Sequence, residues 1–285
     1  MFVEAKLEKR LLMGAFGVPG AGKSYGVAAM ACATIAVWGL KPIITVFDTE
    51  NAWGKLEKVC ADAFGVKVMQ WEPTLPPNPE FPGRKGLTGA SEARKFLAAS
   101  EKHSAGMVIF DSITHILEAE EKQYLENGDR PKWLAGKAME GNEYGRARKD
   151  FKGLTPLILG SPCSTAIIGR HSLEYGVVEG KNAPVGNKMK GAGIDYEVDL
   201  LLEFRRTETK RSKKDAEPHK VFSIGIEKDR YNTMRPHSTS EDSLQPGDEA
   251  SVEHFKSIGR LIVPVLNKIA KPQVKAPAEP EEASE

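Results

Sequence analysis

Between an apolar run and an alanine-rich one, the chain carries Phe-Gly-Val-Pro-Gly-Ala-Gly-Lys-Ser-Tyr-Gly, residues 16–26. Four glycines, a proline, a lysine and a serine offer almost no side chain to pack, so the stretch breaks the core on both sides of it. Residues Gly17, Val18, Pro19, Gly20, Ala21, Gly22, Lys23 and Ser24 fit G-x-x-x-x-G-K-[ST] without a gap. Small residues let backbone N–H groups turn toward a polyphosphate and approach it closely. A helix starting at that point adds unpaired N–H groups that favour an anion. The flanking sequence supplies the required context. Leu11 to Phe16 reads as a short buried strand, and Ser24 to Trp38 as a helix closed by Gly39. In such a site Lys23 would reach the β- and γ-phosphates, the Ser24 hydroxyl would ligate Mg²⁺, and Tyr25 is counted with Gly17 to Ser24 as nucleotide-binding.

A second acidic element fits the first. Met107 to Phe110 is an apolar strand ending at Asp111, and in a parallel sheet the carboxyl end of a strand faces the ligand crevice. An Asp after a strand also serves as a helix cap. Beside a phosphate loop, it is expected to hold the Mg²⁺ shell. Ile43 to Phe47 is β-branched and apolar and reads as another strand, followed by Asp48-Thr49-Glu50; these acids are either solvated loop groups or part of the site.

Further along, Val66 to Gln70, Ser164 to Gly169, Val198 to Phe204 and Val221 to Glu227 read as strands. Ser91 to Lys102, Ile113 to Glu126, Lys137 to Phe151 and Ala250 to Ile269 read as helices. Residues 72–89, dense in proline and glycine, read as a loop, and Leu173 to Gly193 as a glycine-rich segment without periodicity. Apolar strands alternating with helices argue for an α/β fold with a mostly parallel central sheet flanked by helices. The polar link Arg205 to Lys220 suggests antiparallel edge strands. Residues 1–270 are expected to form a single domain, and 271–285 an acidic Pro/Ala/Glu-rich tail.

Composition narrows the partners. The formal net charge is +1, so any basic surface is local. Three cysteines are too few and too scattered for a disulfide framework or a zinc site. The first residues lack a signal-peptide pattern, and the longest apolar stretch is too short to span a bilayer. A cytoplasmic protein with no membrane partner is expected.

Taken together, the phosphate loop, the Asp48-x-Glu50 segment, the Val108-Ile-Phe-Asp111-Ser112 segment and Glu227-Lys228-Asp229-Arg230-Tyr231 resemble the RecA-like P-loop ATPases. The resemblance spans roughly residues 11–231 and is strongest to the small single-domain ATPases of phages and prophages, some of which act in single-strand annealing or recombination. It implies ATP and Mg²⁺ as cofactors, and Glu50 as the glutamate that positions the attacking water. It also implies that Lys228 and Arg230 reach the γ-phosphate of a neighbouring subunit, so that the chain forms a homo-oligomer, filament or ring. Clock-protein relatives share a K-x-R motif, so this motif does not fix the subfamily. The chain departs from the family where a glutamine sensor is common. Arg170 and His171 stand there.

Two loops of the recombinases bind DNA. Their counterparts are residues 127–136, with Arg130 and Lys132 and with Lys137 following, and residues 172–193, with Lys181, Lys188 and Lys190. Cations near an aromatic can track phosphates and stack bases, although acids dilute both segments. The resemblance therefore implies single-stranded DNA, and a single-strand-binding protein, as partners. Two other readings stay open: a nucleotide-gated assembly or signalling ATPase with protein partners, and a ring helicase or translocase.

Overall fold

A computed structural model describes residues 10–71, 89–126, 137, 139, 141–178, 181–209, 219–230, 237–240 and 249–270. Residues 72–88, most of the first expected DNA loop with Arg130 and Lys132, and the acidic tail lie outside the described residues.

The strands are β1 (Leu12–Gly17), β2 (Ile43–Asp48), β3 (Lys67–Gln70), β4 (Met107–Asp111), β5 (Ser164–Val178), β6 (Lys181–Met189), β7 (Leu200–Thr209), β8 (His219–Asp229) and β9 (His237–Ser240). They form one sheet in the order β3-β2-β4-β5-β1-β7-β8-β9, with β6 hydrogen-bonded to β5 off that path. From β3 to β7 every neighbour is parallel; β7–β8 and β8–β9 are antiparallel. This is the mostly parallel sheet with antiparallel edge strands expected from the sequence.

Both faces of the sheet are covered, so its central strands are apolar on both sides. Met13, Ala15, Val46, Ile109 and Ile168 enter one core, with α1 (Lys23–Trp38), α2 (Glu57–Phe64), α8 (Glu249–Arg260) and α9 (Val263–Ala270). Leu12, Phe16, Phe47, Val108, Phe110 and Ile167 enter the other, with α3 (Ala90–Lys102), α4 (Ile113–Glu126), α6 (Lys149–Lys152) and α7 (Thr155–Gly160). Helix α1 is buried on nearly every side, which explains its unpatterned, alanine-rich sequence. It lies between the sheet and α8, where Gly259 faces the Ala29 carbonyl so closely that a Cβ there would sit 2.8 Å from it.

Three expected elements differ. The segment read as glycine-rich and without periodicity, Leu173 to Gly193, is largely a β-arm: the second half of β5 pairs with β6 alone. Its glycines and Pro184 are residues depleted in strands, so the sequence does not mark it as two strands. The helix expected over Lys137–Phe151 is α5 (Gly141–Ala147) and α6, broken at Arg148. The last helix is two, parted at Leu261 and Ile262. Pro264 stands in the first turn of α9, where a missing N–H is tolerated. No helix among the described residues is long and apolar enough to cross a membrane.

Candidate nucleotide site

Strand β1 delivers the glycine-rich loop to the carboxyl edge of the sheet. There α1 departs and the chain returns at β2, with β5 and β4 intervening. Ligand crevices of open α/β sheets lie at such reversals. Glycine is required where the chain turns: Gly17 has φ 152°, and a Cβ there would lie 2.0 Å from the Phe204 carbonyl oxygen on β7. Gly22 has φ 82° and opens α1.

Lys23 is 7% exposed. Its Nζ donates to the carbonyls of Gly17 and Val18, at 3.1 and 3.0 Å. Burial lowers its pKa, opposed by the nearby Glu50 and Asp111 charges. The ammonium is therefore stored over the loop rather than in solvent, within the field of two carboxylates.

Asp111 ends β4 and is 1% exposed. Its Oδ2 accepts from the Ser24 hydroxyl at 2.6 Å and from the Trp53 indole N–H at 2.8 Å. Its Oδ1 is buried with no hydrogen-bond partner. Burial pushes its pKa up to about 6, against the lowering effect of those two donors. A buried carboxylate with a spare oxygen beside a serine hydroxyl suits Mg²⁺, a hard cation held by one or two protein oxygens plus phosphate and water.

The loop after β2 is organised by Asp48. Its Oδ1 accepts from the backbone N–H groups of Glu50 and Ala52, and its Oδ2 from that of Trp53. This aspartate is thus a buried turn-former rather than a solvated acid. By closing the turn it places Trp53 against Asp111 and leaves the Glu50 carboxylate at the mouth of the crevice. Glu50 Oε1 lies 3.5 Å from an Arg170 guanidinium nitrogen and 3.7 Å from His115 Nε2. His115, on α4, meets the Thr49 hydroxyl through Nδ1 at 2.8 Å, and that hydroxyl accepts from the Ser112 N–H. Sequence reasoning missed Trp53, Thr49 and His115. Nothing in their spacing marks them, because they act across the fold rather than within a motif.

Other expected site residues stand elsewhere. The Tyr25 ring packs on α8, stacked with His254 and edge-on to Phe255, and burial raises its pKa to about 12. Lys228 Nζ donates to the Tyr196 carbonyl at 2.5 Å, and Arg230 pairs with Asp199 at 3.1 Å. Burial and the neighbouring Arg230 lower the Lys228 pKa. Because β8 is antiparallel, Asp229 pairs with Leu200, which pairs with Met13. Lys228 and Arg230 therefore lie at the opposite rim from the Gly17 loop, about 13 Å along the strands at ~3.3 Å per residue. Within one chain they do not meet the phosphate loop.

The expected DNA cations divide. Lys181 lies at the start of β6 and Lys137 is exposed. Lys188 and Lys190 line a cavity of about 550 Å³ with Arg148, Lys152, Tyr144 and Tyr196. Arg148 pairs with Glu121 and stacks on Tyr144 at 4.6 Å, and Lys190 pairs with Glu118 at 2.8 Å.

Comparison of the sequence with protein-family models and with curated proteins gives no match. Among solved structures, a KaiC-like protein from the hyperthermophilic archaeon Pyrococcus horikoshii is similar at 12% identity. The likeness covers 81% of this chain and 84% of that one, with a TM-score of 0.44. The chemistry of the site therefore stands on this chain's own residues.

Proposed function

We propose that the chain is a RecA-like ATPase that hydrolyses ATP at a site shared between two copies and uses the cycle to control binding of single-stranded DNA, in recombination or annealing of the phage or prophage type. The observation that carries the reading is the convergence of Lys23, the Ser24–Asp111 pair and Glu50 on one crevice, from three different strand ends.

Each residue has a task the geometry suits. The loop N–H groups cradle the β- and γ-phosphates, and Lys23 leaves the Gly17 and Val18 carbonyls for phosphate oxygens. Ser24 and Asp111 would hold Mg²⁺, which would supply charge neutralisation at the phosphates. Glu50 orients a water and accepts its proton as the new bond to the γ-phosphorus forms. The bond to the bridging oxygen breaks and ADP leaves with the electron pair. Lys228 and Arg230 face away from their own loop, so their cations serve the developing charge in a neighbour's site.

The cavity bearing Lys188, Lys190, Arg148 and Lys152 between two tyrosines supports an anionic strand as ligand. Among the described residues, Lys152 and Lys188 have no carboxylate partner to displace. The test is ATP hydrolysis with and without single-stranded DNA, at low and moderate salt. The reading expects stimulation that weakens with salt and vanishes in a Lys152→Ala/Lys188→Ala variant. Hydrolysis indifferent to DNA would redirect the function to a switch acting on protein partners; strand displacement from a duplex would redirect it to a motor.

A further inference from the structure

Glu50 is not held by its own loop. Asp48 fixes the backbone there through three N–H groups, but the Glu50 carboxylate meets groups from two other elements. Arg170 comes from β5 and His115 from α4, and both approach the same oxygen. Among the described residues Arg170 has one ion-pair partner, Glu50, and its Nε is buried without a hydrogen bond. A guanidinium kept this way is not part of a surface network. It is directed at one carboxylate.

Arg170 stands at a particular place in the chain. It is the last β5 residue paired to β1, opposite Gly17 of the phosphate loop. The next residue, His171, begins the free arm and pairs with Met189. The arm's two strands are tied to α4 at that root. Thr114 Oγ1 accepts from the Arg170 N–H at 2.9 Å and donates to the Lys190 carbonyl at 2.8 Å. The Lys190 N–H donates to the Arg170 carbonyl. His115, the residue after Thr114, completes the contact to Glu50.

We infer that Arg170 is a positioning residue for Glu50, and that the clamp of Thr114 on Arg170 and Lys190 makes the root of the β5–β6 arm the part of the fold that sets where the Glu50 carboxylate stands. The inference rests on the reading of Glu50 as the residue that orients water. Arg170 supplies a cation that approaches one Glu50 oxygen, Oε1, leaving the other for water. Whatever moves the arm displaces Arg170, and with it Glu50. A displacement of about 1 Å is enough to cost on the order of 10²-fold in rate when the geometry of attack is lost.

The experiment is steady-state ATP hydrolysis by the full chain carrying Arg170→Ala, Arg170→Lys and Glu50→Asp, singly and with Arg170→Ala combined with Glu50→Asp. Affinity for ATP is measured in parallel. Arg170 is partly exposed, so its removal opens no core cavity, and retained ATP affinity reports folding. The expected result is a fall in kcat on the order of 10²-fold for Arg170→Ala, with ATP affinity and KM unchanged and partial recovery in Arg170→Lys. In the Glu50→Asp background, whose shorter carboxylate no longer reaches the guanidinium, the same change costs much less. Equal losses in both backgrounds, or weakened ATP affinity, would overturn the inference and make Arg170 a direct phosphate ligand. Undiminished kcat in Arg170→Ala would overturn it as well. Glu50→Gln is the separate control. If that variant turns over normally, the reading of Glu50 itself fails.

Discussion

At the scale of single residues, Asp111 is the most heavily determined group in the site. Its Oδ2 is taken by Ser24 and Trp53, its Oδ1 has no hydrogen-bond partner, and burial raises its pKa to about 6, above the ordinary carboxylate range of about 4. A carboxyl whose folded pKa is raised binds its proton more tightly in the folded chain. Its contribution to stability is therefore full below about pH 4 and is lost as the pH rises through about 6. Without nucleotide and metal, the ionised carboxylate costs stability at neutral pH, about 3 kcal/mol at ~1.4 kcal/mol per pKa unit. Asp111→Asn keeps an oxygen for Ser24 and Trp53 and removes the charge. The expected outcome is a higher melting temperature than wild type at pH 7 without nucleotide, a difference that closes toward pH 4, and loss of metal-dependent hydrolysis. Thermal melts across that range check it. A constant difference at every pH would show that the Asp111 charge is not the cause.

At the scale of elements, the parts legible in the sequence were those whose physics is local. β1, α1 with its Gly39 cap, β2 and β4 are read from apolar runs and glycines that pack or turn within their own segment. The phosphate loop is legible because its glycines and Lys23-Ser24 form a contiguous motif, although Gly17 also makes room for the Phe204 carbonyl of β7. What could not be read acts across the fold. The β5–β6 arm carries glycines and Pro184, which are depleted in strands and hide its pairing in the sequence. The role of Asp48 as turn-former shows only when Trp53 and Asp111 are seen together, and His115 is brought to Glu50 by α4 packing rather than by spacing. Residues chosen for close approach are similarly silent in sequence. Gly259 on α8 sits against the Ala29 carbonyl and the Ala33 methyl of α1. Gly259→Ala is expected to separate the two helices and lower stability by about 1–3 kcal/mol, the usual cost of overpacking. Denaturant unfolding measures it. ATP turnover per folded chain should be unchanged, since the pair lies on the side of α1 away from the crevice.

At the scale of the whole molecule, the sheet separates two sets of functional groups. Lys23, Ser24, Asp111 and Glu50 gather at the carboxyl ends of the parallel strands. Lys228 and Arg230 gather at the opposite rim, because β8 runs antiparallel to β7. Tyr196 and Asp199 hold these two cations in place there. On the proposed reading, one chain carries both halves of an interface and would use both by stacking head to tail, a heterologous contact of the kind that yields rings or filaments. The basic cavity is lined by Lys188 and Lys190 of the β5–β6 arm, whose root also carries the Glu50 partner Arg170. The measurement that tests this arrangement most directly is ATP hydrolysis by Arg230→Ala chains, by Glu50→Gln chains and by their mixture. The account predicts that each variant alone binds ATP without turnover, and that mixing restores it where a Glu50 site meets a neighbour's Arg230. Wild-type turnover by Arg230→Ala alone, or a mixture that stays silent, would contradict a site shared between copies.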